Sequence, residues 1–385
     1  MASWTCNKGT GRIEVRAYAG VNRVTGKAIS LSLKPSLPPD ATEEDISEAM
    51  RRLDAQAAWC KGRGRGLTVG AVAEYRIERL AALGKAVSTI DAYRSYLRCY
   101  IEPFIGEAEA DGVRAHDFVA LYGRLVRTGG KDARPVSPNT LRKLHVFLKS
   151  AFKAAVAEGV MERNPLDAVE APTSRRTEAM ALCEDDLARL ASHLSSATAA
   201  LDVALLLVLH TGIRRGEAAA LRVCDLDTAR RVLRVSHSLA RSRRGRGFEL
   251  KETKGRRARA VALDATCAGA LAAHLARQGE ALAARGLRQN SQTPLFARED
   301  GSHHRPDQVY AHFKEVAGSL GIDKAAGVHT LRHTHATYLL MEGIDVKTIS
   351  ERLGHYSPAI TLEVYGHVMP GRDAAAAEAF DRRTL

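Results

Sequence analysis

The sequence predicts a multidomain, mainly α chain. It comprises a small β-sheet-plus-helix module at the N-terminus, an all-helical second domain and an α+β third domain. Three observations carry this reading. At 385 residues, 45% of them hydrophobic, the chain is too long for one typical core and suits two or three. Its apolar residues alternate near the start and then recur mostly at helical spacing. Two segments poor in apolar residues, 61–66 and 171–179, interrupt the pattern.

Residues 1–60 form the first module. Arg12–Tyr18 and Ile29–Leu33 alternate polar and apolar residues and read as strands, with turn chemistry at Asn22 and Gly26. After Pro38-Pro39, Thr42 and Asp45 make a capping-box-like helix start, and Ile46, Met50, Leu53 and Ala57 mark its apolar face. Lys61–Gly66 reads as a flexible basic linker. Residues 67–165 read as helical throughout. Ser88 is placed to cap a helix carrying Ile90, Tyr93, Leu97, Tyr100 and Ile101 on one face. Ser137-Pro138 is a good N-cap and first-turn pair for a longer helix that ends at Asn164-Pro165. Its apolar face is Leu141, Leu144, Leu148, Phe152, Ala155 and Val156. In the third domain, 180–370, Asp185-Asp186 opens a helix, and 199–210 is apolar nearly all round, which places it in a core. Val232–Val235 and Ala260–Leu263 read as short strands, and helices return from about residue 264. Residues 371–385 form a tail with a helix over Ala374–Ala377.

Charge narrows the function. Lys plus Arg is 57 against 44 for Asp plus Glu, a formal +13, which favours a polyanionic partner, nucleic acid before anionic membrane. The longest apolar run, Val203–Leu209, is far short of the roughly 20 residues that span a bilayer, so no membrane role is expected. The first residues show no signal peptide, and six scattered cysteines without a Cys-x-x-Cys pair fit a reducing cytoplasm. The base is concentrated: from 230 to 259 twelve Lys and Arg stand against two Glu, a local +10. Charges this dense repel unless a counter-polyanion is present. Arg241, Arg243, Arg244, Arg246, Lys251, Arg256, Arg257 and Arg259 are therefore candidate contacts to a phosphate backbone.

Four short segments stand out beyond composition. They are Thr211-Gly-Ile-Arg-Arg-Gly-Glu217; Thr253-Lys254 leading into Arg259–Leu263; His329-Thr-Leu-Arg332-His-Thr-His335; and Leu353-Gly-His355, followed ten residues later by Tyr365. Singly, each has an ordinary explanation. His329 and His333 share the i, i+4 spacing of a zinc helix, but no Glu follows His329 and Arg332 would set a fixed cation beside the metal. Together and in this order, the segments resemble the tyrosine recombinase (phage integrase) family. Its pattern is Thr-Gly-x-Arg-x-x-Glu, a β-hairpin Lys, His-x-x-Arg-His, Leu-Gly-His and then Tyr. The match is close from about 180 to 370. More loosely, 1–60 resembles the family's three-stranded arm-type DNA-binding module, and 67–165 its helical core-binding, SAM-like domain. One departure is Arg215-Gly216, where the family often has an apolar residue and a Ser.

The resemblance implies a site-specific recombinase acting on double-stranded DNA in the cytoplasm, at the nucleoid. Arg214 and Arg332 would clamp the scissile phosphate with always-charged forks. Tyr365 would be the nucleophile, His329 its proton acceptor, His355 a hydrogen-bond donor to a phosphate oxygen, and Lys254 the acid for the leaving 5′ oxygen. Glu217 and His333 would support the site. The family needs neither ATP nor metal, so no cofactor is expected. The working assembly would be a homotetramer on synapsed DNA formed from monomers, with an accessory directionality factor left open. The three-part layout favours integration and excision of a mobile element. A type IB topoisomerase shares the nucleophile chemistry, but the N-terminal modules and the His355 segment argue against it, and the intact polar set argues against a decayed, purely DNA-binding chain.

Overall fold

The computed structural model describes residues 1–22, 26–33, 36–63, 66–173, 180–196, 198–242, 247–252, 258–323, 325–366, 377–378 and 380–381. The chain divides into two compact units, Met1–Arg176 and Thr177–Leu385.

Unit 1 opens with three antiparallel strands in the order β1 (Ser3–Cys6), β2 (Ile13–Val21) and β3 (Ala28–Ser32). Alternation along β2 buries Ile13, Val15, Ala17 and Ala19 on one face and leaves Arg16 and Tyr18 on the other. Helix α1 (Glu43–Arg63) lies on the buried face, its start tied by reciprocal Thr42–Asp45 hydrogen bonds. It contributes Ala49, Leu53, Ala57 and Cys60 to the core. The helix runs through residues 61–63, so the expected linker begins inside it. The same apolar cluster continues into α2 (Val69–Ala82), α3 (Val87–Tyr96), α4 (Ala115–Thr128) and α5 (Pro138–Ala157), so sheet module and helices share one core. Gln56 of α1 donates to the Val160 carbonyl at 2.8 Å and to Asp111 at 2.6 Å, adding polar ties across that junction.

Helix α5 starts as its sequence indicates: Ser137 accepts from the Thr140 amide and Pro138 fills the first turn. Its apolar stripe centres the bundle, with Phe152 edge-on to Phe118 at 5.5 Å and Phe147 stacked on Tyr93 at 4.4 Å. It stops at Ala157, earlier than expected, and Asn164 instead caps a separate 3₁₀ turn, Pro165–Ala168. Ser88 is not a cap. Helix α3 begins after Ala86 without a side-chain cap, and Ile90 is its buried residue. Beyond α3 a π turn, Leu97–Ile101, still delivers Leu97 and Ile101 to the core.

Unit 2 is built around α7 (Ala200–Thr211), buried almost all round by α6 (Glu184–Ser195), α9 (Ala265–Ala283), α10 (Pro306–Ser319) and α11 (Val328–Met341). A one-turn helix, α8 (Arg215–Ala218), follows α7. Strands β4 (Leu226–Asp227), β5 (Val232–Val235) and β8 (Arg259–Ala262) form an antiparallel sheet. The basic stretch between β5 and β8 holds a further hairpin, β6 (His237–Arg241) and β7 (Phe248–Glu252), paired Leu239 to Leu250. Helices α12 (Val346–Leu353) and α13 (Pro358–Tyr365) close the unit. The expected tail helix at 374–377 falls mostly outside the described residues; 377–378 and 380–381 are helical. None of the six cysteines is in a disulfide, and among the described residues no helix is long and apolar enough to cross a membrane.

Both tryptophans, Trp4 and Trp59, belong to unit 1, so their emission reports on that unit. Phe152→Ala should destabilise it by about 3–5 kcal/mol, lowering the denaturant midpoint followed by tryptophan fluorescence. Val119→Ala, at an exposed position on α4, should leave the midpoint in place.

Candidate active site

The site begins where α7 stops. Gly212 takes the left-handed conformation, φ +66°, and ends the helix. A Cβ here would lie 2.6 Å from the Leu353 side chain and 2.9 Å from His335, so the close approach of α11 and α12 also requires glycine. Two residues on, Arg214 leads into α8. Its backbone amide donates to Glu217 Oε2 at 2.9 Å, its Nη1 to Glu217 Oε1 at 2.9 Å, and its Nη2 to the Gly354 carbonyl at 3.1 Å. Arg214 is thus tied directly to the residue before His355. Gly216 lets β6 sit on α8, since a Cβ there would come 2.7 Å from Ser238 Oγ and 3.1 Å from the Leu239 carbonyl oxygen, which bears on the glycine of the Arg215-Gly216 departure.

Glu217 is 1% exposed and is shared. Arg259, the first residue of β8, donates Nη2 to Oε2 at 2.7 Å and Nη1 to Oε1 at 3.3 Å, and its Nε to the Arg352 carbonyl at 2.9 Å. Burial would raise the Glu217 carboxyl, but the hydrogen bonds and charges of Arg259 and Arg214 outweigh it and hold it below the ordinary carboxylate range.

Helix α11 supplies the next group. Arg332 is 5% exposed; Nη1 donates to the Gly212 carbonyl at 2.6 Å, while Nη2 is buried with no hydrogen-bond partner among the described residues. Burial, then the charge of Arg214, lowers its pKa to about 9, which leaves it charged at neutral pH. His329, Arg332 and His333 stand at i, i+3 and i+4, so one stretch of helix faces the site. Tyr365 ends α13, 1% exposed, with its hydroxyl 2.7 Å from His333 Nδ1. Burial raises the phenol to about 12 against the pull of Arg332. His333 is lowered to about 4, chiefly by burial and then by His329 and Arg332. His355, lowered to about 4 by burial and the charges of Arg332, Arg214 and Arg259, is oriented by Thr361 Oγ1, 2.8 Å from its Nδ1. Burial, followed by Arg332, Arg215 and Arg214, lowers His329 as well. Three arginines therefore face one buried carboxylate, amid imidazoles that stay neutral and beside a neutral phenol. An orphaned donor amid surplus positive charge is a site for an anion.

The fold thus gathers Arg214, Glu217, His329, Arg332, His333, His355 and Tyr365 from four separate stretches of chain. Two expectations change. The phenol rests on His333, the residue expected to stand behind the site, rather than on His329. Arg259 points inward, its side chain 11% exposed and bound to Glu217, rather than standing out on the basic surface. Of the other expected backbone contacts, Arg241 is exposed on the hairpin and Lys251 pairs with Glu249 at 2.8 Å. Lys254, Arg243, Arg244, Arg246, Arg256 and Arg257 lie outside the described residues. Among the described residues no group of three or more His, Cys, Asp or Glu is placed to hold a metal ion. Thr361 and Arg352 were not anticipated. Thr361 is a fully buried hydroxyl that orients His355, and Arg352 offers its carbonyl to Arg259 while its Nε donates to His335 Nε2 at 2.9 Å.

Comparison with known proteins places the chain in a family. Residues 181–372 match the Phage integrase family. The chain is 33% identical over 235 residues to tyrosine recombinase XerC of Thermodesulfovibrio yellowstonii, covering 60% of this chain and 72% of the relative. It is 30% identical over 304 residues to tyrosine recombinase XerD of Rhizobium meliloti, covering 76% and 88% respectively. In fold it resembles the Tn1549 transposon integrase in complex with a circular intermediate DNA, with TM-score 0.65, 19% identity, and coverage of 83% of this chain and 100% of that one. It also resembles the lambda integrase tetramer bound to a Holliday junction, with TM-score 0.56, 17% identity, and coverage of 92% and 96%. With the motif order, the converged site and these relatives in agreement, the chain belongs to the phage integrase family of tyrosine recombinases, enzymes that cleave and rejoin DNA strands.

Proposed function

We propose that this enzyme is a site-specific integrase that inserts and excises a mobile element, with Tyr365 as the nucleophile. The observation that carries the proposal is the buried cation surplus around the unpartnered Nη2 of Arg332, electrostatically coupled to a phenol that is held on a neutral imidazole. A DNA phosphodiester has the missing negative charge and the acceptor oxygens. Arg214 and Arg332 bind its non-bridging oxygens, and His355 donates to one of them. The Tyr365 oxygen attacks phosphorus as the bond to the 5′ oxygen breaks. The phenolic proton passes to the imidazole pair His329 and His333, and Lys254 protonates the leaving 5′ oxygen. One phosphoester replaces another, so the 3′-phosphotyrosine keeps the bond energy, and a 5′ hydroxyl of a partner strand completes the exchange.

The rest of the chain fits this assignment. Residues 1–60 serve as an arm-type DNA-binding module, with Arg16 and Tyr18 on the outer sheet face, and residues 67–165 as the core-binding domain. That arm-type module ahead of the helical part favours an element integrase over a resolvase of chromosome dimers. The β6–β7 hairpin, with Arg241 exposed, lies toward the phosphate backbone beside the site. Strand exchange takes place in a homotetramer on two synapsed duplexes in the cytoplasm.

Tyr365→Phe should abolish covalent protein–DNA adducts on a nicked duplex while leaving binding intact; adducts that persist would move the nucleophile elsewhere. Arg332→Ala, and separately Arg214→Ala, should slow adduct formation at saturating DNA by about 10²-fold or more, with a far smaller change in affinity. An equal loss in both would sink the clamp. Because burial holds His333 near 4 and Tyr365 near 12, the imidazole accepts the proton and the phenol is not pre-ionised. Adduct formation should therefore decline as acid protonates the imidazoles and should be nearly flat above neutral pH. A climb of about tenfold per pH unit above neutrality would mark a pre-ionised phenolate instead. Robust relaxation of a plasmid lacking a cognate site would favour a topoisomerase over an integrase.

A further inference from the structure

We infer that Arg259 is a positioning residue that fixes the Arg214 guanidinium and the Gly354–His355 turn in one register. This rests on the proposed role of Arg214 and His355 at the phosphate. Arg259 binds three acceptor oxygens at once, on two groups. Its Nη1 and Nη2 reach both oxygens of Glu217, at 3.3 and 2.7 Å, and its Nε reaches the Arg352 carbonyl at 2.9 Å. Glu217 in turn accepts from the Arg214 side chain and backbone, and Arg214 donates to the Gly354 carbonyl. The result is a closed loop of hydrogen bonds that joins β8, α8 and the end of α12.

The packing closes the same loop. Gly354 has φ +69°, and a Cβ there would lie 2.7 Å from Arg259 Nη1 and 2.9 Å from Cζ. The guanidinium therefore lies flat against the backbone of the turn that presents His355. A guanidinium suits this position because it is planar and always charged, and because it offers a two-pronged face to a carboxylate while a third N–H serves a carbonyl. A lysine ammonium has the charge without the fork. Arg259 also follows directly on the segment that carries Lys254, so its anchoring sets where strand β8 leaves that segment.

The test uses the full chain and a nicked duplex selected by covalent capture on the wild-type protein from a randomised duplex pool. Arg259→Met and Arg259→Lys are compared with wild type for single-turnover adduct formation at saturating duplex, for affinity, and for the salt dependence of affinity. Arg259→Met should slow adduct formation by about 10-fold to 100-fold, with affinity within about twofold and an unchanged salt slope. Arg259→Lys should restore part of that rate, a rescue that general loss of fold would not show. Adding Arg259→Met to Glu217→Gln should cost little beyond the larger single effect, because both act through one carboxylate. Weaker binding with the salt slope reduced by about one and the rate at saturation intact would make Arg259 a phosphate contact and overturn the inference. A rate equal to wild type would overturn it too. If the wild-type chain captures no duplex at all, the underlying assignment of the site fails, and it is recognisable as that failure because no variant is then distinguishable from wild type.

Discussion

One buried carboxylate organises the catalytic unit. Glu217 has both oxygens occupied, each by a donor from Arg214 and one from Arg259, and it is almost wholly removed from water. Burying an acid is costly unless it is paired and fully hydrogen-bonded, and here both conditions are met. The return is geometric. Glu217 sets one arginine from the end of α7 and another from β8 at a fixed separation, and each is bound to a backbone carbonyl near the end of α12. Loss of the carboxylate would leave two guanidiniums repelling each other in a site largely removed from water. The catalytic elements cannot shift independently while this pairing holds.

The apolar architecture serves the same end. Helix α7 is buried all round and has few polar groups of its own, so it acts as a rigid post. The site is assembled at its C-terminal end, where Gly212 turns the chain and offers its carbonyl to Arg332. A helix C-terminus is the negative end of the macrodipole, which suits a cation placed there. Arg332 thus has one fork of its guanidinium fixed by the protein, leaving the other for an anion.

Much of this was legible in the sequence, for identifiable reasons. The helical stripes of α1, α5 and α7 and the Ser137-Pro138 start follow from local periodicity and capping, which act at short range. The site motifs were visible as residue types at fixed spacing. Strand β1 was not: its four residues are too few for a periodic signal and are all exposed, and it is held by pairing with β2. The end of α5 was misplaced because Asn164-Pro165 looks like a stop but caps a different turn. Arg259 carried a signal that charge obscured. Arg259, Val261 and Leu263 share one strand face, and the two apolar members are buried, so period-2 alternation already pointed the arginine inward. Which histidine meets Tyr365 is a tertiary fact: His329 and His333 lie one turn apart on the same face, and only the path of α13 selects His333.

The electrostatic state of the unliganded site follows from the same packing. Burial disfavours charge on Tyr365, His333, His355 and His329 alike, so the phenol and the imidazoles are neutral at neutral pH, whereas Arg332 stays charged. A phosphodiester entering this site adds the negative charge that the cluster lacks. It also weakens the cationic influence that helps hold the imidazoles in their unprotonated form, since Arg332 and Arg214 would then face an anion. The same neutralisation weakens the pull of Arg332 on the phenol, so the imidazoles and the Tyr365 hydroxyl would both hold a proton more tightly with an anion bound. Anion binding and the proton affinity of the site are therefore linked through the charge balance of one buried cluster.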